Sequence, residues 1–133
     1  IPLNTDSTLK GQTVFLAERC AELMNDNIIT DRTVIDVMAF TQNAMSIPYQ
    51  DKDKFIDYAK EFIREYDYIF YISPNGLPIE DNGVRETDEH YRDVIDFTII
   101  SYIKKYAYMM KNIETIRGTT KERVEQILNV INS

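Results

Sequence analysis

The chain has 133 residues, 44% hydrophobic and 28% charged, with a single cysteine. That length builds one domain with a core, and nine tyrosines with ample Ile, Val and Leu exclude a disordered chain. Lone Cys20 excludes a disulfide scaffold and fits a reducing, cytoplasmic compartment; no apolar run nears the roughly 18 residues of a membrane span. With 15 basic against 22 acidic residues the net charge is −7, which argues against broad binding to nucleic acid and leaves room for a small site with local arginines.

Residues 1–7 show no periodicity and read as a loop. From Thr8 the apolar residues Val14, Phe15, Ala17, Ala21, Leu23 and Met24 fall mainly at helical spacings, with Ser7 or Thr8 as N-cap and Asn25-Asp26-Asn27 as a stop. The β-branched run Ile28-Ile29-Thr30 predicts a short buried strand with Asp31 at its tip. A second helix carries Val34, Val37, Met38, Phe40 and Thr41 and ends near Ser46-Ile47-Pro48. Residues 51–66 form an amphipathic helix with Phe55, Ile56, Ala59, Phe62 and Ile63 on one stripe.

The clearest strand is Tyr68-Ile69-Phe70-Tyr71-Ile72, whose nearly continuous apolar character suits a parallel strand covered on both faces. Residues 75–90, polar and broken by Gly and Pro, are too long for an ordinary connection and read as a lid loop. A long helix is expected from about Tyr91 to Asn112, then a short strand over residues 113–117. A capping box, Thr119-Thr120-Lys121-Glu122, opens a last helix with Val124, Ile127, Leu128 and Ile131. Strands alternating with helices predict an α/β fold with a parallel sheet, in one domain spanning residues 1–133. Three strands are few for such a sheet, and the first strand-helix unit is missing.

In open α/β sheets ligands bind beyond the carboxyl ends of the strands, so three tips matter. At Thr30-Asp31-Arg32-Thr33 the carboxylate can accept a proton or hold a hydrated Mg²⁺, while the guanidinium grips an oxyanion. The competing reading, which weighs more on the tetrapeptide alone, is that Asp31 caps the next helix and Arg32 pairs with Asp36. At the second tip, Glu80-Asp81-Asn82-Gly83-Val84-Arg85 and then Arg92 can bring two arginines over an anion; on charge count a solvated loop wins. At the third, Gly118 with Thr119 either approaches a planar ligand or only turns the chain into a capped helix. His90 has no Cys or His at ligand spacing, so zinc is not expected. Cys20 reads as a core thiol.

Taken in order, Ile28-Ile29-Thr30-Asp31-Arg32-Thr33, residues 66–72, Glu80-Asp81-Asn82-Gly83-Val84-Arg85, and Gly118-Thr119 with Glu122-Arg123-Val124 resemble a known group. They look like AAA-type P-loop domains related to the ribosylnicotinamide kinase of NAD metabolism and to deoxynucleoside and thymidylate kinases. The resemblance covers residues 12–131 and implies a P-loop NTPase-like three-layer sandwich with a parallel sheet. It implies transfer of the ATP γ-phosphoryl to a small nucleoside or nucleotide, with ATP and Mg²⁺ as cofactors. By similarity Asp31 is the base or metal organiser, Arg32 the acceptor clamp and Arg85 the lid arginine. Arg92 would lie over the phosphates, and Gly118 and Thr119 against the nucleotide base. The family has Asp-Asp-Gly where this chain has Asp81-Asn82-Gly83.

One departure is large. The phosphate-binding loop GxxxxGK[ST] occurs nowhere in the 133 residues. The resemblance therefore implies that a strand and P-loop of roughly 30–50 residues stand outside this chain. The rival expectations are an inert interaction module that has lost ATP, or an ATPase or GTPase switch in which Asp31 serves metal and water. The Tyr-rich long helix is a candidate homo-oligomer interface.

Overall fold

The computed structural model of the chain describes residues 4–73 and 89–133. Five α-helices and two strands follow in the order α1 (Leu9–Glu22), α2 (Val34–Gln42), α3 (Tyr49–Ala59), β1 (Ile69–Ile72), α4 (Glu89–Lys105), β2 (Ile113–Ile116) and α5 (Thr120–Ile131), with a 3-10 segment Lys60–Glu65 after α3 and another, Ala107–Met109, after α4. The protein is thus α/β and mostly helical. No helix among the described residues is long and apolar enough to cross a membrane.

The organising element is α2. Its sequence VIDVMAFTQ is apolar nearly all round, and such a helix must be covered on all sides. Val34, Met38, Ala39 and Thr41 have no exposed surface, and α1, α3, the Lys60–Glu65 segment and α4 pack around them. Thr41 Oγ1 donates to the Val37 carbonyl at 2.8 Å and accepts from Gln12 Nε2 at 3.0 Å; that amide also donates to the Val37 carbonyl at 3.3 Å. At the far end Asn43 Nδ2 donates to Thr98 Oγ1 at 3.0 Å and the Tyr102 hydroxyl donates to Gln42 Oε1 at 2.9 Å, which fixes α4 to α2.

β1 and β2 pair in parallel, Ile69 opposite Ile113 and Ile72 opposite Ile116, with α4 in the crossover between them. Ile69 N–H donates to the Asn112 carbonyl at 2.8 Å. In a parallel ladder alternate residues face the same neighbour, so Ile69 and Tyr71 turn their peptide groups to β2 while Phe70 and Ile72 turn theirs the other way. α5 follows a capping box in which Glu122 N–H donates to Thr119 Oγ1 at 3.2 Å and Thr119 N–H donates to Glu122 Oε1 at 3.0 Å. Its apolar stripe is only half covered: Val124 and Leu128 remain exposed.

Three expectations require correction. Ile28-Ile29-Thr30 is not a buried strand: the segment is irregular, Ile28 is 46% exposed and Ile29 91%. No strand among the described residues stands beside it, and an unpaired strand has no ladder to hold it. Asp31 consequently lies in a bend and not at a strand tip, and the sheet has two strands here where three were expected. The long helix ends at Lys105 and not near Asn112, because Tyr106–Met110 tighten into the 3-10 turn that returns the chain to β2. The helix expected over residues 51–66 is α at first and 3-10 from Lys60 onward. The lid loop, with Arg85 and the acidic stretch before it, lies outside the described residues.

Candidate functional site

The start of α2 builds the site. Thr33 is its N-cap, accepting from Ile35 N–H at 3.0 Å, and Asp36 Oδ2 returns the bond by accepting from Thr33 N–H at 2.9 Å. Asp31 therefore does not cap the helix. The turn before the cap is closed by Thr30 Oγ1 donating to the Arg32 carbonyl at 2.8 Å. This geometry leaves Asp31 exposed and sends Arg32 back along α2, where its guanidinium carbon sits 5.6 Å from the Phe40 ring centre. Phe40 in turn packs on Tyr91 with ring centres 6.3 Å apart.

Two hollows meet at this point. The larger, about 1250 Å³, is a groove between the segment 22–36 on one side and β1 with α4 on the other. The smaller, about 410 Å³, opens between α1, α2 and the start of α4, with Ser7, Gln12 and Phe15 on its inner side. Arg32, Asp36, Phe40, Arg92 and Ile95 line both and form the wall between them. Two arginines from distant parts of the chain thus line one wall, Arg32 over the Phe40 ring.

Burial pushes the Asp36 carboxyl up from its ordinary range, opposed by the Thr33 N–H bond and the Arg32 charge, and helped by neighbouring Asp31. On the groove side the Tyr71 hydroxyl donates to Asp96 Oδ1. Burial, and then the bond and charge of Asp96, push the Tyr71 phenol up to about 12. Asp96 and Tyr71 did not stand out in the sequence. The signal available for Asp96 was its place one helical turn after Arg92, which puts both on one face of α4.

Asp31, Arg32 and Arg92 all line the larger groove. Gly118 and Thr119 line neither hollow. Gly118 adopts φ +100°, a turn conformation, and Thr119 spends its hydroxyl on the α5 cap. Gln126 clamps the same turn, accepting from Arg117 N–H at 3.1 Å and donating to the Arg117 carbonyl at 2.6 Å. Cys20 packs against the core, where burial raises its thiol pKa and lowers its reactivity at neutral pH.

Among the described residues no three His, Cys, Asp or Glu side chains come together as metal ligands, and the motif GxxxxGK[ST] does not occur in the sequence. The fold and site define a mostly helical α/β protein with a parallel strand pair and an arginine-lined hollow. Comparison with protein-family models, curated proteins and solved structures finds no match.

Proposed function

We propose that the protein is the acceptor-binding part of a nucleoside- or nucleotide-kinase-type phosphotransferase with a P-loop NTPase-like sandwich. The observation that carries this reading is that Arg32, over the Phe40 ring, and Arg92 both line the smaller hollow. Its volume of about 410 Å³ lies within the ~300–1,000 Å³ of small-molecule sites. An aromatic wall beside two cations suits a planar base joined to a phosphate. Arg32 and Arg92 would neutralise and orient the acceptor. Asp31 lines the adjoining larger groove and not this hollow, so it would hold the proton of a reacting hydroxyl that reaches past the shared wall. The phosphate-binding loop that delivers ATP would come from outside this chain, and Arg85 would act from the lid.

The test is an NMR titration of the 133-residue protein with nucleoside monophosphates, parent nucleosides and inorganic phosphate. Monophosphates should shift the Arg32, Phe40 and Arg92 resonances, and Arg32→Ala or Arg92→Ala should weaken binding at least ~10-fold, the value of one charge-assisted bond. Shifts confined elsewhere, or affinities indifferent to both substitutions, would remove the reading.

A second reading, a catalytically inert interaction module, is favoured by the missing GxxxxGK[ST]. In that case neither monophosphates nor nucleosides would bind.

A further inference from the structure

The smaller hollow has a polar group on its inner side as well as arginines in its wall. Gln12 lines it and is only 2% exposed. Its Nε2 donates to Thr41 Oγ1 at 3.0 Å and to the Val37 carbonyl at 3.3 Å. Thr41 spends its own proton on that carbonyl at 2.8 Å, so its oxygen can only accept from Gln12. Two acceptors therefore face one end of the Gln12 amide, and that end is the NH₂. The other end, Oε1, accepts no hydrogen bond from any described residue. Nor is it sealed off from solvent, so it belongs to the part of Gln12 that meets the hollow.

A nearly buried acceptor without a donor is costly, and an N–H brought by a ligand removes that penalty. The other acceptors around the hollow are placed differently. Asp36 Oδ2 accepts from Thr33 N–H at 2.9 Å, and the Glu18 side chain is 55% exposed. Phe15, one turn after Gln12 on α1, and Phe40 on α2 line the same hollow. Apolar rings beside one fixed acceptor suit a planar base that carries an N–H on its edge.

We infer that Gln12 is the residue that selects the base of the acceptor. Its Oε1 takes a hydrogen bond from an exocyclic amino group or a ring N–H, and disfavours bases that offer only acceptors there. The amide cannot turn over to suit such a base, because Oε1 would then face the Val37 carbonyl and Nε2 would lose both of its partners. The inference rests on the phosphotransferase reading, which puts a nucleoside monophosphate in this hollow, and deepens it by naming what the base must carry.

The experiment titrates the 133-residue protein with three matched pairs, each a nucleoside monophosphate and an analogue that has lost the N–H. Adenosine and cytidine monophosphates are set against the forms with hydrogen in place of the amino group, and uridine monophosphate against the form methylated on the ring nitrogen. Phosphate, ribose and ring are constant within a pair. Calorimetry gives affinity, and the side-chain amide resonance of Gln12 reports the contact. In at least one pair the N–H member should bind at least ~10-fold more tightly. It should also move the Gln12 Nε2 resonance downfield, because a bond accepted at Oε1 draws charge from the nitrogen. Gln12→Leu should abolish the difference within that pair; should the variant unfold, the resonance in the parent chain decides. Equal binding within every pair, a difference that survives Gln12→Leu, or an unmoved Gln12 resonance would overturn the inference. The phosphotransferase reading would then stand alone, with Arg32 and Arg92 still governing affinity. Failure of every monophosphate to bind would overturn both.

Discussion

The Tyr66 hydroxyl accepts a hydrogen bond from the backbone N–H of Val34 at 3.1 Å, across 32 positions of sequence. Val34 opens α2, and the first N–H groups of a helix have no partner within it. Thr33 and Asp36 satisfy two donors of this cap, and Tyr66 reaches in from the end of the Lys60–Glu65 segment to satisfy another. The start of the central helix, and with it the position of Arg32, is therefore held by a side chain two elements away.

Replacing Tyr66 with Phe leaves the ring and orphans a buried donor. The expected cost is about 1–3 kcal/mol, read from the denaturant midpoint, whereas an exposed tyrosine such as Tyr58 should tolerate the same change. Burial also pushes the Tyr66 phenol up to about 12, while in the unfolded chain it ionises near its ordinary value of about 10. The folded state holds the proton longer. Its contribution is complete below pH 10 and is lost as pH rises from about 10 to about 12. A series of denaturation curves across that window should fall less steeply in Tyr66→Phe, by up to about 1.4 kcal/mol per pH unit.

The buried Gln12–Thr41 pair gives an asymmetric expectation. Thr41→Val deprives the Gln12 amide of its better acceptor inside the core, and should destabilise by about 1–3 kcal/mol. Gln12→Leu removes the demanding group altogether, and Thr41 still donates to the Val37 carbonyl, so the cost should stay under about 1 kcal/mol. The double variant should be more stable than the sum of the two. A thermodynamic cycle that closes additively would show that the pair is not coupled.

Gly118 separates a turn role from a ligand role. A Cβ there would stand 2.9 Å from Glu122 Oε1 and 3.2 Å from Glu122 Cβ, on a backbone at φ +100° that other residues rarely adopt. Gly118→Ala should cost about 1–3 kcal/mol of strain and loosen the α5 cap, seen as faster amide exchange in the first turn of that helix. Nucleoside monophosphate affinity should be unchanged, since Gly118 lines neither hollow.

Ile29→Ser offers the opposite outcome. At 91% exposure the side chain contributes no core, so stability should stay within about 0.5 kcal/mol of the parent. A loss above about 2 kcal/mol would mean that the residue is buried in solution after all.

Local chemistry was legible in the residues themselves. Thr119 and Glu122 stand at capping-box spacing and form that box; Ile69–Ile72 is a run of β-branched and aromatic residues, Ile113–Ile116 is β-branched but for Glu114, and the two pair as parallel strands; the apolar positions of α1 and α3 recur at helical spacing. Such features depend on neighbours within a turn or a strand, which the order of residues determines directly. Ile28-Ile29-Thr30 marks the limit. Its β-branched run satisfies the local preference, yet a strand needs a partner with free N–H and C=O groups at ladder distance, and none of the described residues supplies one. The tertiary structure alone decided that Arg32 and Arg92 share a wall, that Tyr66 caps α2, and that β1 and the segment 22–36 line one groove. Each joins side chains or backbone groups far apart in the chain. Their meeting follows from how α2 is wrapped by its neighbours, since packing in three dimensions, and not spacing along the chain, brings them within reach.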